Sequence, residues 1–273
     1  MKVTITKTSP LTPRGNFVQW TLSECAPDRY LFDLYRSGSR NGPWEKVVEG
    51  LVDTYSFIDR FEQLPGTSPA TALRPNQLSQ LTNFHYQVTA RNASGLLVTD
   101  TTEVGPTLAP KQRQELRALT HAQWRGFRYN GVPVALLKRR KWGVRCKKCI
   151  DPITKEVLRS ACTSCWGTGF ESGYWAPVLT YARRAPMQET SQVTPEGKTN
   201  ISNTRMVLLA IPRMEQGDLV VFLQDNKRFF VDQQVETQLR TVPVHQVVLL
   251  TEISGSDIVY RIPVDPRTVP SLL

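Results

Sequence analysis

Four of the five cysteines fall in one short window, as two Cys-x-x-Cys pairs separated by twelve residues: Cys146, Cys149, Cys162 and Cys165. Two such pairs can place four thiolates around one tetrahedral ion at about 2.3 Å, and zinc has the softness to prefer sulfur ligands. A catalytic zinc keeps an open position for water or substrate, whereas four thiolates close the shell. The spacing therefore predicts a structural zinc.

Other uses of paired cysteines fit this sequence less well. An iron–sulfur cluster or a redox dithiol also uses Cys-x-x-Cys, but lysines and glycines surround these pairs, and the strand–Cys-x-x-Cys–helix pattern of a thioredoxin-like unit is absent from the sequence. Two disulfides would require an exported protein, and the N-terminal sequence MKVTITKTSPLTPRG has no apolar stretch typical of a signal peptide.

The net charge of +10 is concentrated around the cysteines. Residues 108–185 carry 16 Lys and Arg against 4 Asp and Glu, whereas the segments before and after them are nearly balanced. The densest run contains seven cations: Lys138, Arg139, Arg140, Lys141, Arg145, Lys147 and Lys148. Because clustered like charge destabilises a fold unless an anionic surface compensates it, these residues are predicted to contact a polyanion or an acidic partner.

The first segment, residues 1–107, is predicted to be a β-sandwich. Alternating runs such as FVQWTL, RYLFDLYRS and FHYQVTAR are separated by clusters of Gly, Pro, Asn and Ser, which is typical of antiparallel strands. It resembles a fibronectin type III module through Trp20, RYLFDLY, YSFIDR at 55–60, and Leu81 followed by Tyr86-x-Val88-x-Ala90-x-Asn92-x-x-Gly95. The resemblance implies recognition or spacing and no catalytic residues.

The middle segment, residues 108–185, is predicted to contain a connecting helix and a zinc ribbon. Leu116, Leu119 and Trp124 lie three to five residues apart, which indicates a helix that starts near Pro110. The run YNGVPVALLKRRKWGVRC is predicted to be a hairpin with its turn at Asn-Gly, residues 130–131.

The second cysteine pair continues as Cys162-Thr-Ser-Cys165-Trp-Gly167-Thr-Gly169. This stretch resembles the Cys-x-x-Cys-x-Gly-x-Gly unit of DnaJ-type zinc modules. The resemblance implies that Gly167 and Gly169 let the backbone turn under the metal, so that amides can donate to the thiolates. It covers one half of the site only, because the first pair lacks both glycines, and it carries the knuckle geometry without a chaperone activity.

The third segment, residues 186–273, is predicted to be a small antiparallel β-barrel. Its five strand-like runs are TRMVLLAIP, GDLVVFLQ, KRFFVDQQVE, VPVHQVVLLTEI and DIVYRIPVD. The order Gly217-Asp218 before a strand, then Phe229-Phe230-Val231 on the next, resembles the small barrels of tailed-phage head-closure and neck proteins.

Together these patterns predict a non-enzyme, since the sequence has no P-loop, no Gly-x-Ser-x-Gly elbow, no His-Glu-x-x-His and only three scattered histidines. The resemblances imply a structural component of a tailed-phage virion. Such a protein is expected to be an oligomeric ring in the neck or head–tail connector, assembled in the host cytoplasm. Its partners would be other virion proteins, with contact to DNA or an acidic subunit but with no small-molecule substrate and no membrane.

Two alternatives remain open. The chain could be a nucleic-acid-binding zinc-ribbon protein, in which the basic run contacts phosphates and Trp142 stacks on a base. It could also be a structural protein of the tail or baseplate.

Overall fold

The computed structural model describes residues 2–12, 15–23, 26–59, 84–92, 97–99, 109–151, 154, 161–184, 192–194, 197–199, 203–239 and 242–265. The predicted fold class is confirmed: the described chain is mainly β, with one α-helix, a two-sheet N-terminal unit, a closed antiparallel barrel and four clustered cysteines. The chain divides into two compact units. The first comprises Met1–Gln123, Trp142–Val144 and Leu239–Val242, and the second comprises Trp124–Lys141, Arg145–Gln238 and Pro243–Leu273.

The first unit is built from two antiparallel sheets. The three-stranded sheet, in the order β1-β2-β5, contains β1 (Lys2–Thr12), β2 (Gly15–Ser23) and β5 (Ser56–Asp59). The four-stranded sheet, in the order β4-β3-β6-β7, contains β3 (Tyr30–Ser37), β4 (Glu45–Val52), β6 (His85–Asn92) and β7 (Leu97–Thr99). Leu81 and Gly95 of the predicted fibronectin-like pattern lie outside the described residues.

Alternating side chains of both sheets form the core of this unit. Trp20 on β2 is 1% exposed, and its ring centroid lies 5.5 Å from that of Phe32 on β3, so Trp20 fills the space between the sheets as its position in the sequence predicts. Trp142 belongs to the same core: it is 3% exposed and meets Phe32 edge-on at 5.3 Å. The hypothesis that Trp142 is a ring available for base stacking is therefore wrong.

The helix α1 (Pro110–Asn130) starts at the predicted residue but is longer than predicted. It continues to Asn130, so the predicted hairpin with its turn at residues 130–131 does not form. The Gly131 amide donates to the Phe127 carbonyl at 2.8 Å, and a Cβ at Gly131 would lie 2.3 Å from that same oxygen. Asn-Gly is common both in hairpin turns and at helix C-termini. In this chain it marks the C-terminus of α1.

The second unit contains a closed barrel of six antiparallel strands, in the order β12-β15-β14-β13-β8-β9. Its strands are β8 (Val132–Leu137), β9 (Val178–Arg184), β12 (Asn203–Leu209), β13 (Leu219–Phe222), β14 (Arg228–Leu239) and β15 (Val242–Glu252). A separate pair is formed by β10 (Gln192–Thr194) and β11 (Gly197–Thr199).

The prediction of five strands from the third segment is corrected in two respects. Strands β8 and β9 come from the predicted middle segment and close the barrel, through β8 pairing with β13 and β9 pairing with β12. The run DIVYRIPVD is not a strand but contains the 3-10 helix η1 (Ile258–Arg261). The Asp257 carboxylate caps η1 by accepting from the Val259 amide, which stabilises the turn against an extended conformation.

Strands β8 and β13 are buried on both faces, which explains why their sequences VPVALL and LVVF lack alternation. Leu136 and Val220 point into the barrel, where they pack with Met206 and Val248. Leu137 and Leu219 point outward and belong to a second cluster with Ile253, Val259 and Ile262 around η1 and with Tyr174 of the β8–β9 connection. The burial of both faces makes these two strands the best-covered part of the unit.

Candidate metal centre

The cysteines lie in residues 138–177, the connection between the neighbouring barrel strands β8 and β9. Backbone hydrogen bonds pair the two ends of this connection: the Arg140 amide donates to the Gly173 carbonyl at 3.0 Å, and the Trp175 amide donates to the Lys138 carbonyl at 2.8 Å. Further along, the Cys146 amide donates to the Gly169 carbonyl at 3.0 Å. The pairing of the two barrel strands therefore continues outward and brings the first cysteine pair beside the second.

The four sulfur atoms form one buried cluster. All four lie within 4.8 Å of one another, with 3.8 Å between Cys146 and Cys162 and 3.1 Å between Cys149 and Cys165. These distances exceed the ~2.05 Å of a disulfide bond, and all four cysteines are free. No cysteine of the set is more than 8% exposed. The arrangement can hold a metal ion, as the sequence predicts.

The two cysteine pairs make the same local turn. In the first, the amide of Lys148 donates to the sulfur of Cys146, and in the second, the amide of Ser164 donates to the sulfur of Cys162. Each donor is thus the residue two positions after the first cysteine of its pair. We call the two turns, residues 146–149 and 162–165, the first and second knuckles.

The thiol pKa values differ within the cluster. Burial raises the pKa of Cys146 and of Cys149. The amides of Ser164 and Cys165 outweigh burial at Cys162 and lower its thiol pKa to about 7. A bound metal cation would stabilise the thiolate form of all these sulfurs and would thus counteract the effect of burial on their pKa values.

The second knuckle is followed by a chain of left-handed backbone conformations. Trp166 has φ 52°, Gly167 φ 78° and Gly169 φ 81°, so the predicted turn of the backbone at the two glycines is present. Gly173 also has φ 61°, and a Cβ there would lie 2.4 Å from the Cys165 carbonyl oxygen. Glycine is needed at 173 because two backbone segments touch there, a requirement that sequence spacing does not reveal.

The structure separates the seven predicted cations into different environments. Lys138 is buried, and its Nζ donates to Asp218 Oδ2 at 3.0 Å and to the Arg213 carbonyl at 2.7 Å. Lys141 is exposed and pairs with Glu215. The Arg140 guanidinium lies over the Trp175 ring at 4.0 Å, and the Arg145 guanidinium lies over the Phe170 ring at 4.4 Å. Arg139, Lys147 and Lys148 are exposed.

The Asp218 carboxylate accepts from several donors at once, a role that the Gly217-Asp218 pattern in the sequence does not reveal. The carboxylate is fully buried and accepts from Lys138, from the Arg139 amide at 2.8 Å and from the Glu215 amide at 2.7 Å. Burial raises its pKa, and Lys138 counteracts this in part. These bonds hold the start of the cysteine-containing connection against the turn that precedes β13.

Comparison with known proteins provides no family for this chain. No protein-family model matches, and no curated protein matches. Two solved structures resemble parts of it: pectate lyase PelI from Erwinia chrysanthemi in complex with tetragalacturonic acid, at 16% identity and TM-score 0.24, and titin kinase with its flanking domains, at 9% identity and TM-score 0.24. The matches cover 37% and 91% of this chain but only 27% and 36% of those chains.

Among the described residues, no helix combines the length and the apolar character that crossing a membrane requires.

Proposed function

We propose that Cys146, Cys149, Cys162 and Cys165 hold one structural zinc ion. Tetrahedral bonds of about 2.3 Å place sulfur atoms about 3.8 Å apart. The Cys146–Cys162 distance already has this value, and the Cys149–Cys165 distance reaches it after a small outward movement. Sulfurs within 4.8 Å of one another leave room for a single ion, whereas an iron–sulfur cluster places several atoms between them.

The zinc would fasten the β8–β9 connection. Among the described residues next to the cysteines, the two sides of the connection are paired at the bridge between Arg145 and Phe170, where the Cys146 amide donates to the Gly169 carbonyl. Its exposed cations repel one another, and metal binding supplies folding free energy on the order of 10 kcal/mol. Four thiolates leave no position for substrate, so the ion has a structural role and not a catalytic one.

Metal analysis of the purified protein tests this proposal. We expect one zinc ion per chain and its loss in Cys149→Ser and Cys162→Ser, with residues 140–170 becoming sensitive to protease. Thr163→Ala is the matched control, because Thr163 lies in the second knuckle, is exposed and carries no ligand atom. Protein that contains no zinc, or that contains disulfides between these cysteines, contradicts the proposal.

We also propose that the protein is a non-catalytic structural component of a tailed-phage virion, an oligomer in the neck or head–tail connector. The supporting observation is a long strand that leaves the barrel with its side chains uncovered. β14 begins buried at Arg228 and ends exposed, with Val235 66% and Leu239 44% exposed. Exposed apolar side chains on an extended hairpin suit contact with a neighbouring subunit.

The second unit also contains a groove. It has a volume of about 720 Å³ and is lined by aromatic rings of Trp166, Tyr174 and Phe230. Both carboxylates of its lining have structural partners: Asp232 accepts from the Thr251 hydroxyl, and Asp257 caps η1.

Particle composition and assembly test the virion proposal. We expect the chain in purified particles of the phage that encodes it, and labelling by a specific antibody at the neck. We expect Val235→Glu with Leu239→Glu to abolish incorporation, whereas Val52→Glu, a similarly exposed valine on β4, should be incorporated normally. Absence from particles refutes the proposal, and labelling at the distal tail would favour a tail or baseplate protein instead.

A further inference from the structure

Three cations at the first knuckle face solvent without an acidic partner. In the part of the chain that the structure describes, Arg145, Lys147 and Lys148 are exposed, and no carboxylate forms an ion pair with them. Lys138 and Lys141 of the same basic run do have such partners, Asp218 and Glu215. We call Arg145, Lys147 and Lys148 the knuckle cations.

The metal site positions the knuckle cations. Lys147 and Lys148 occupy the two places between Cys146 and Cys149, and the Lys148 amide donates to the Cys146 sulfur, so the backbone that carries both lysines is wrapped around the metal position. The Arg145 guanidinium lies on Phe170, which is itself fixed by the bridge between these two residues. A backbone held in place loses less conformational entropy when its side chains bind an anion than a mobile backbone does.

The knuckle turn itself does not require these charges. The second knuckle makes the same amide-to-sulfur contact with Thr163 and Ser164 between its cysteines. Positive charge at residues 147 and 148 is therefore an additional property of the first knuckle. It has two physical uses: to offset the negative charge of a zinc ion bound to four thiolates, or to bind an external anion.

We propose that the knuckle cations bind the phosphate backbone of duplex DNA without sequence preference. Residues 145–150 provide lysine and arginine head groups and no exposed apolar anchor, since Ile150 packs against the cysteines. Lysine is depleted from protein–protein interface cores, whereas protein–DNA interfaces are rich in Lys and Arg. Contacts with phosphates position a protein on the duplex and carry no sequence information.

The proposal rests on the structural zinc proposed above. It predicts how strongly the affinity for DNA depends on salt. Each phosphate contact contributes about 0.9 to the slope of log K against log salt, so three contacts give a slope of about −2.7. Replacing both lysines by Gln leaves one contact and reduces the slope by about 1.8. The same change lowers affinity most at low salt.

The test is a fluorescence anisotropy titration of a labelled random-sequence duplex with the zinc-loaded full-length protein, between about 50 and 200 mM salt. The variant is Lys147→Gln with Lys148→Gln. The matched control is Lys46→Gln with Lys227→Gln, which removes the same charge from two exposed lysines that pair with Glu49 and Glu252 elsewhere. Zinc content is measured for each protein, and polyglutamate replaces DNA in a parallel titration.

We expect the knuckle variant to retain zinc while its affinity for DNA falls at least tenfold at low salt, and the control to bind as the wild type does. Unchanged DNA binding by the knuckle variant overturns the proposal. Loss of zinc from that variant shows that the lysines compensate the thiolates instead, and preference of the wild type for polyglutamate shows an acidic protein partner. If the wild type lacks zinc yet the knuckle variant loses DNA binding, the zinc proposal fails and the DNA-binding face remains.

Discussion

Replacing Asp218 by Asn is expected to cost more stability than removing its partner, Lys138. Asp218 uses one carboxylate oxygen for the Arg139 amide and the other for both Lys138 Nζ and the Glu215 amide. Asn has a single oxygen, so at least one of these donors must face an amide NH₂ group. Lys138, whose side chain is 7% exposed, then loses the carboxylate nearest to its Nζ.

The magnitude follows from these contacts. Removing one partner of a buried ion pair costs about 3–5 kcal/mol. We expect about 3 kcal/mol for Asp218→Asn, because the Glu215 carboxylate lies 3.9 Å from Lys138 Nζ and compensates in part. We expect about 1–2 kcal/mol for Lys138→Met, because Asp218 keeps two amide donors and can become neutral.

The two variants should also differ in their pH dependence. Lys138 lowers the Asp218 pKa against the effect of burial, so Lys138→Met raises that pKa further above its unfolded value. A carboxyl with a raised folded-state pKa stabilises the fold below the unfolded pKa of about 4, and this contribution is lost as pH rises through the folded pKa. The cost of Lys138→Met should therefore grow with pH, whereas the cost of Asp218→Asn should fall as pH rises, because only the wild type loses stability through the raised pKa of Asp218.

The assay is urea unfolding at several pH values, with hydrogen exchange of β8 and β13 amides assigning the barrel transition. Lys227→Met provides the control, since Lys227 forms an exposed pair with Glu252 at 3.2 Å and its loss should cost less than about 1 kcal/mol. An Asp218→Asn protein within about 1 kcal/mol of the wild type, or equal costs for both variants at every pH, would refute the reasoning.

Three further predictions follow from single contacts. Gly173→Ala should destabilise the metal centre by about 1–3 kcal/mol or more, because its Cβ would lie 2.4 Å from the Cys165 carbonyl. The variant should also release zinc to a chelator more readily. The control is Gly126→Ala, where α1 leaves open space for a Cβ, and it should be neutral or stabilising by up to about 1 kcal/mol. Trp142→Ala should destabilise the first unit by about 3–5 kcal/mol in thermal unfolding, since the ring is buried against Phe32, and a loss below about 1 kcal/mol contradicts this packing. Zinc affinity should fall by about tenfold per pH unit for each proton displaced, already above pH 7 because burial raises the Cys146 pKa, and more steeply below pH 7 because the Cys162 pKa is about 7. Competition titrations with a chelator measure it, and constant affinity between about pH 6 and 8 would contradict the assignment of thiol ligands.

Local patterns were sufficient for several parts of the fold. The sandwich strands follow from period-two alternation, as around Trp20, because successive side chains of a strand point to opposite faces. The helix start at Pro110 follows from proline's fixed φ and from the spacing of Leu116 and Trp124. The helix end was missed because Asn-Gly is compatible with both a hairpin turn and a helix terminus.

The barrel required information that local patterns do not contain. β8 and β9 joined it through pairing with β13 and β12, strands that lie far away in sequence. β8 is buried on both faces, so its sequence lacks the alternation that is typical of a strand in a two-faced sheet. The last run, around Val259, has strand-like composition, but the Asp257 cap and burial against β13 make it a 3-10 turn.

The sequence by itself determined which residues could hold a metal ion, because each Cys-x-x-Cys turn is formed by residues close together in the chain, and two such turns supply four thiol groups. The tertiary structure decided which of the neighbouring cations are buried and which are exposed. Lys138 and Lys147 lie in the same basic run, yet Lys138 is buried because barrel pairing brings Asp218, 80 residues away in sequence, within 3.0 Å of it. Lys147 is exposed because the knuckle directs its side chain away from the buried sulfurs. Burial and ion pairing depend on long-range contacts, which the order of charges along the chain does not encode.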